Sequence, residues 1–405
     1  MAKPRKQTRR RKPARRIRSA AAALGGKMSA QTVRMSITNA YLGDDFTGTI
    51  YVGSQKTPCN VLLDTGSSTL AVDGNFYNVK KDKSAAITDI AQEVKYMDGS
   101  SWMGAVVTTG VTAGSEGVLL AQVNVAVAYH ETRTMFRGSN GILGLAYTQL
   151  NEAYTMPGPT IPPKYTYNEI QAGRMKHIEP YFTELERKGL VANKFALYTR
   201  RSLTSQSTRK PLADPLNNGF LILGGGEENT DLYSGSFQVA KVLHDTFYNT
   251  NLKSVTVGKS TPIVVNPPTK ASGNPSNSVV DSGTTGLLLD QPVFNAILAK
   301  LDTTLTDLLR AGYAPMNKLN FADWPTITFV LEGALGKDVV LEVAPETYWQ
   351  TDSPKAGHAT AVLYGDDGAG GGSSTLGLPL MNNYFTVFDR SVDKGLGVVS
   401  FAKIR

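Results

Sequence analysis

The chain has 405 residues, 41% hydrophobic and 19% charged, enough for two domains of ordinary size that each bury a core. Its formal net charge of +8 is concentrated at the start, where Lys3, Arg5, Lys6, Arg9, Arg10, Arg11, Lys12, Arg15, Arg16, Arg18 and Lys27 supply eleven positive charges; without them the body carries −3. A single cysteine, Cys59, excludes an intramolecular disulfide, and no apolar run is long enough to span a membrane as a helix.

Residues 1–35 are too charged and too poor in large apolar side chains to pack, and are predicted to form a disordered basic extension. Within it Ala20–Leu24 is too short and too weakly apolar for the core of an export signal. Three readings of this head stay open: a solvated tail, a salt-dependent contact with nucleic acid or an anionic surface, or a plug whose cations fold over the acidic body at neutral pH. One cysteine and no clean signal point to the cytoplasm, with a secreted or periplasmic location as the alternative.

Beyond the head, short β-prone runs alternate with Gly, Asn and Asp: Gly48–Val52, Asn60–Leu63, Gln92–Tyr96, Ala105–Val111 and Val118–Ala128. Many short strands separated by turn residues predict an all-β body. The second run leads into Val61–Ser68, which places Asp64 between an apolar strand and a Gly-containing turn. Tyr147–Gly173, Arg200–Asn218 and Gly365–Ser374 read as loops. Helical spacing predicts two helices, Pro180–Lys188, which stops before Gly189, and Gln291–Leu309.

Between those helices Val279–Thr285 repeats the first acid turn, with Asp281 as the counterpart of Asp64. One such turn is a common accident, but two with matching flanks in one chain imply two half-sites. A second echo supports duplication, because Gly141–Leu145 follows the first turn as Thr375–Pro379 follows the second. Lobes related by a pseudo-two-fold axis would bring Asp64 and Asp281 together, and a pair of facing carboxylates can activate water. His130, His177, His244 and His358 lack metal-ligand spacing, and the glycines of Gly365–Ser374 lack the strand-then-helix setting of a phosphate loop. No metal or other cofactor is expected.

These residues resemble the pepsin-like aspartic endopeptidases from about Asp45 to the C-terminus. Phe46–Gly53 is similar to the strand that opens the mature enzyme, Tyr96–Ser100 to the flap hairpin, and Asn140–Ala146 to the family's Asp-Gly-Ile-Leu-Gly-Leu stretch. Phe220–Gly225 is similar to the strand near the lobe junction, and Trp324–Phe329 and Tyr384–Asp389 to late strands of the second lobe. The lack of every family disulfide resembles a bacterial-type member. The resemblance implies a bilobal all-β fold: two pseudo-symmetric β-barrel-like lobes, 36–228 with Asp64 and the flap and 229–405 with Asp281, and an active-site cleft between them.

By the same resemblance, the chain is an aspartic endopeptidase with an acidic optimum. Asp64 and Asp281 would share one proton and hold the attacking water. Thr65 and Ser282 would lock the two turns together, Ser67 and Thr284 would hydrogen-bond the outer carboxylate oxygens, and Gly66 and Gly283 would stay small where the backbones approach. Tyr96, Asp98 and Gly99 would form the flap over an extended peptide or unfolded protein substrate, with Phe247, Leu287 or Leu289 shaping subsites. Pepstatin-type inhibitors would bind, and the protein would be a monomer. The family's usual Trp after the first turn is Ala71 here, which removes the expected support of Tyr96. That departure favours the alternative reading, a weak or inactive member that binds peptides or proteins without cutting them. Asn140 replaces the usual Asp, and Leu378 stands where Asp is frequent.

Overall fold

The computed structural model describes residues 30–405 except 97–98, 116, 118, 133–135, 137, 268–275 and 367–371. The basic head therefore lies outside the described residues up to residue 29. From Val33 the chain is already a strand, β1 (Val33–Thr38), paired antiparallel with Asn218–Leu223. This strand includes Val33–Met35 of the stretch expected to be disordered, because Met35 and Ile37 alternate with more exposed residues and face the core.

Seven strands follow in the first half: β2 (Thr47–Val52), β3 (Thr57–Asp64), β4 (Leu70–Asp73), β5 (Ala86–Lys95), β6 (Ser101–Ala113), β7 (Leu119–Thr132) and β8 (Gly141–Gly144). The body is all-β, as its short β-prone runs predict. These strands join a 15-stranded sheet in which Asn218–Leu223, Lys194–Tyr198, Tyr384–Asp389 and Val398–Ile404 lie side by side beyond β1. Late strands thus share one layer with the first half.

The two acid turns are built alike. β3 runs parallel to β8, with Asp64 opposite Gly144, and β4 runs antiparallel along the same β8. In the second half Ser278–Val280 runs parallel to Ser374–Leu376, and Leu287–Asp290 runs antiparallel along that strand. Each apolar-Gly segment therefore threads between the two arms of its acid turn.

The structure corrects several sequence expectations. The run Gln291–Leu309 is two helices, Gln291–Leu298 and Thr303–Ala311. Asp302 divides them, because its backbone is extended and its carboxylate caps the Leu305 N–H (2.9 Å) to start a new helix. Inside the supposed loop Tyr147–Gly173, Glu152–Thr155 pairs with Arg174–His177 and with β5. The same stretch holds helix Tyr167–Gln171, opened by a Thr166–Glu169 capping box. Leu287 and Leu289, weighed as subsite residues, are 0% exposed and belong to the main core; strand alternation puts both on one face.

Segment Arg200–Asn218 is a strap across both halves. Ser202 and Leu203 donate their N–H groups to Gln350 Oε1 (3.0 and 3.2 Å), and Gln206 donates to the Asp352 carbonyl (2.7 Å). Thr204 donates its N–H to the Gly43 carbonyl (2.8 Å), next to Asp45. Asp45 in turn accepts from Thr285 Oγ1 (2.8 Å), just past the second acid turn.

A second buried acid braces the first half. Asp82, 7% exposed, accepts from Ser54 N–H (2.8 Å), Ser84 N–H (2.8 Å), Ser84 Oγ (2.7 Å), Thr109 Oγ1 and the Tyr77 hydroxyl. Burial alone would raise its pKa, but these donors outweigh it and hold the carboxyl well below the usual range. The stability it lends is therefore present above the ordinary Asp value of 3.8 and lost only as pH falls through the depressed one. Replacing Asp82 by Ala should cost about 3 kcal/mol in urea unfolding at pH 7, and nearly as much at pH 4.5. A loss below about 0.5 kcal/mol at both would contradict this role.

Candidate active site

The two acid turns meet through two reciprocal hydroxyls. Thr65 Oγ1 donates to the Val280 carbonyl (3.2 Å) and accepts from the Ser282 N–H (2.8 Å). Ser282 Oγ donates to the Leu63 carbonyl (2.8 Å) and accepts from the Thr65 N–H (3.1 Å). Both side chains are buried, so each turn has its backbone groups satisfied by the other and not by water.

This grip sets Asp64 and Asp281 face to face. A Cβ on Gly283 would stand 2.3 Å from Asp64 Oδ1, and one on Gly66 would stand 2.8 Å from the Asp281 carboxyl. Each carboxyl thus packs on the glycine of the opposite turn. Asp64 Oδ1 accepts from the Gly66 N–H (2.7 Å), and Asp281 accepts from the Gly283 N–H (2.9 Å) and from Thr284 Oγ1 (2.7 Å). Ser67 Oγ lies buried near the Asp64 carboxyl without a hydrogen bond of ordinary geometry.

The pair is not electrostatically symmetric. Asp64 is 5% exposed, whereas Asp281 is only partly buried. Burial, then the charge of Asp281, pushes the Asp64 pKa well above the usual carboxylate range. The Ser67 side chain and Gly66 N–H oppose the rise without cancelling it.

Tyr96 stands at the end of the β5–β6 hairpin, where its N–H donates to the Ser100 carbonyl (2.8 Å) and its carbonyl accepts from Gly99 N–H (3.0 Å). Asp98 lies outside the described residues. The support for Tyr96 that Ala71 cannot give comes from Trp102, whose Nε1–H donates to the Tyr96 hydroxyl (3.3 Å). Trp102 shares one apolar cluster with Ala71, Leu62, Ala126 and Ile142, against which Tyr96 packs. A small residue at 71 thus accompanies a large one at 102. The usable signal was the apolar alternation of β6, which points Trp102 inward.

Other sequence candidates fall as follows. Asn140 Oδ1 accepts from Asn60 N–H (2.9 Å), a task that needs no charge. Leu378 is fully buried. Phe247 is half-buried next to Tyr248, and its N–H donates to Asn249 Oδ1 (3.0 Å). Burial pushes the Cys59 thiol up to about 12, which leaves it unreactive at neutral pH. Among the described residues no helix is long and apolar enough to cross a membrane.

A known protein family, described as "Eukaryotic aspartyl protease", matches the chain over residues 45–403, which include both acid turns. The chain belongs to this family. Beta-secretase of Strongylocentrotus purpuratus is 26% identical over 385 residues, covering 84% of this chain and 63% of the relative. Pepsin B of Canis lupus familiaris is 23% identical over 364 residues, covering 87% of this chain and 81% of the relative. The chain therefore spans less than two thirds of the first relative's length and most of the second's.

Two tests follow for this family member. Because Asp64 keeps its proton above pH 3.8, the native state binds a proton that the unfolded chain releases, so stability falls as pH rises from there through the raised value. Asp64→Asn should abolish that fall, so its melting temperature relative to the unsubstituted protein should climb between acid and neutral pH. A pH-independent difference would mean that Asp64 titrates normally. Trp102→Phe keeps most of the volume and removes the N–H, and should speed amide exchange in residues 95–101 by about tenfold, with exchange elsewhere unchanged.

Proposed function

We propose that the protein is an aspartic endopeptidase that cleaves extended peptide segments, with Asp64 and Asp281 as its catalytic residues. The observation that carries this reading is the face-to-face packing of the two carboxyls inside the Thr65–Ser282 grip. Two carboxylates so close cannot both ionise cheaply, so they hold one proton between them, and the titration belongs to the pair.

The burial of Asp64 favours it as the protonated member. Asp281 is then the base: it takes a proton from a water as the water oxygen bonds to the scissile carbonyl carbon. Asp64 hydrogen-bonds the carbonyl oxygen and transfers its proton as the tetrahedral intermediate forms. Collapse of the intermediate breaks the C–N bond, the amine leaves with a proton, and the pair returns to its singly protonated state. No covalent enzyme intermediate is involved. Tyr96, steadied by Trp102, would close the hairpin over the peptide, which lies extended and offers its main chain for hydrogen bonding.

Ala71 was the feature that favoured a peptide-binding member without turnover, and Trp102 supplies the support that Ala71 lacks. The names of the curated relatives, beta-secretase and pepsin B, accord with the peptidase reading. The expected pH profile is bell-shaped on the acid side of neutrality. Activity ends at high pH when the shared proton is lost and at low pH when the second carboxylate is protonated.

The decisive assay is cleavage of a denatured protein across about pH 3 to 7, with and without pepstatin. Pepstatin-sensitive cleavage should drop by about a thousandfold or more in Asp281→Asn. Folded protein that cuts nothing across that range, or an Asn variant that cuts normally, would remove the endopeptidase reading.

A further inference from the structure

A buried arginine contacts the segment that hydrogen-bonds the Asp64 turn. Arg390 follows strand Tyr384–Asp389 and is 4% exposed, and among the described residues no carboxylate forms an ion pair with it. Its guanidinium is satisfied by neutral groups from three parts of the chain. Nε donates to Asn193 Oδ1 (3.2 Å), one terminal nitrogen to the Ala146 carbonyl (3.3 Å), and the other to Thr183 Oγ1 (3.4 Å). The faces of Phe182 and Tyr147 lie 4.7 and 5.3 Å from its central carbon. The Arg390 backbone is itself pinned, donating to the Asn193 carbonyl (2.9 Å) and accepting from Asn193 Nδ2 (3.1 Å).

A buried cation without a counter-ion is costly, and aromatic faces offset only part of that. What it touches gives the reason for keeping it. Ala146 donates its N–H to the Ser67 carbonyl (2.8 Å), and Leu145 donates its N–H to the Asp64 carbonyl (2.7 Å). The Tyr248 hydroxyl, beside Arg390, donates to the Leu145 carbonyl (2.8 Å), and Ser68 Oγ donates to the Tyr147 carbonyl (2.6 Å). Three consecutive carbonyls are thus gripped while two consecutive amides hold the turn that carries Asp64.

We propose that Arg390, with Tyr248, is a positioning residue that clamps Leu145–Tyr147 and thereby sets the Asp64 turn against Asp281. The planar fork of Arg suits this task, since it reaches Asn193, Thr183 and Ala146 at once, which the single ammonium of Lys cannot do. The clamp acts from the second half of the chain on a first-half turn, through contacts separate from the Thr65–Ser282 grip. Its catalytic consequence rests on the endopeptidase reading above, whereas the coupling to the turn does not.

The test compares Arg390→Lys and Tyr248→Phe with the full-length protein in two ways, both on material shown to be folded. Hydrogen exchange should rise about tenfold at the amides of Leu145 and Ala146 while amides around Asp281 stay unchanged. In peptide cleavage, kcat should fall about tenfold or more with KM held within about twofold, which a general loss of stability would not produce. Wild-type exchange at Leu145 and Ala146 in folded variants would overturn the clamp, and so would fast exchange with an unchanged kcat. Should Arg390→Lys fail to fold, Tyr248→Phe decides, since it removes one hydroxyl and keeps the ring. Should the unsubstituted protein cleave nothing, the endopeptidase reading falls, and the exchange measurement alone supports or overturns the clamp.

Discussion

The geometry of the site depends on four hydrogen bonds that two side chains make across the middle of the molecule. Thr65 and Ser282 each donate to the opposite strand's carbonyl and accept from the opposite turn's amide. Without such a constraint two acids would separate, because like charges at contact distance in a poorly solvated setting repel by several kcal/mol. The grip holds the two turns together against that repulsion. It also explains the residue types on either side: a hydroxyl that both donates and accepts must follow each Asp, and a glycine must come next so that the facing carboxyl has room.

Duplication supplies the symmetry of this arrangement, and burial breaks it. Both halves thread an apolar-Gly strand between the arms of an acid turn, in the same parallel and antiparallel sense. The glycines in and just after these threading strands are as constrained as those of the turns. A Cβ at Gly144 would stand 2.5 Å from the Ser68 backbone, and one at Gly377 would stand 2.2 Å from the Thr284 carbonyl. Yet Asp64 is enclosed while Asp281 is partly open, and Thr284 bonds its acid at 2.7 Å while Ser67 makes no comparable bond. Equal residue types thus sit in unequal surroundings, which perturbs the two carboxyls unequally.

The acid turns, their flanking strands and the all-β body were legible in the sequence because each is written locally, as an apolar run, an acid and a glycine in fixed order. What the sequence does not show is partly non-local and partly a matter of which local signal prevails. Trp102 and Ala71 compensate one another from different strands, and only the packed cluster shows that the indole takes over the contact to Tyr96. Asp302 looked like one polar residue inside a helical run, and its capping bond to Leu305 is what makes it a break. Leu287 and Leu289 lie next to the second turn in sequence, but strand alternation sends both into the core. Arg390 gave no signal, since the groups it holds lie around 146, 183 and 193.

Asp64 and Asp82 show how one half of the molecule can carry two buried acids displaced in opposite directions. Desolvation raises both, so the difference lies in the donors. Asp82 collects five, two of them main-chain N–H groups, and remains ionised through the acid range. Asp64 has the Gly66 N–H and a poorly placed Ser67 hydroxyl, and it faces another acid. Asp82 is thereby held well below the usual carboxylate range and Asp64 well above it. The count of donors around each carboxyl achieves that separation without any change in residue type.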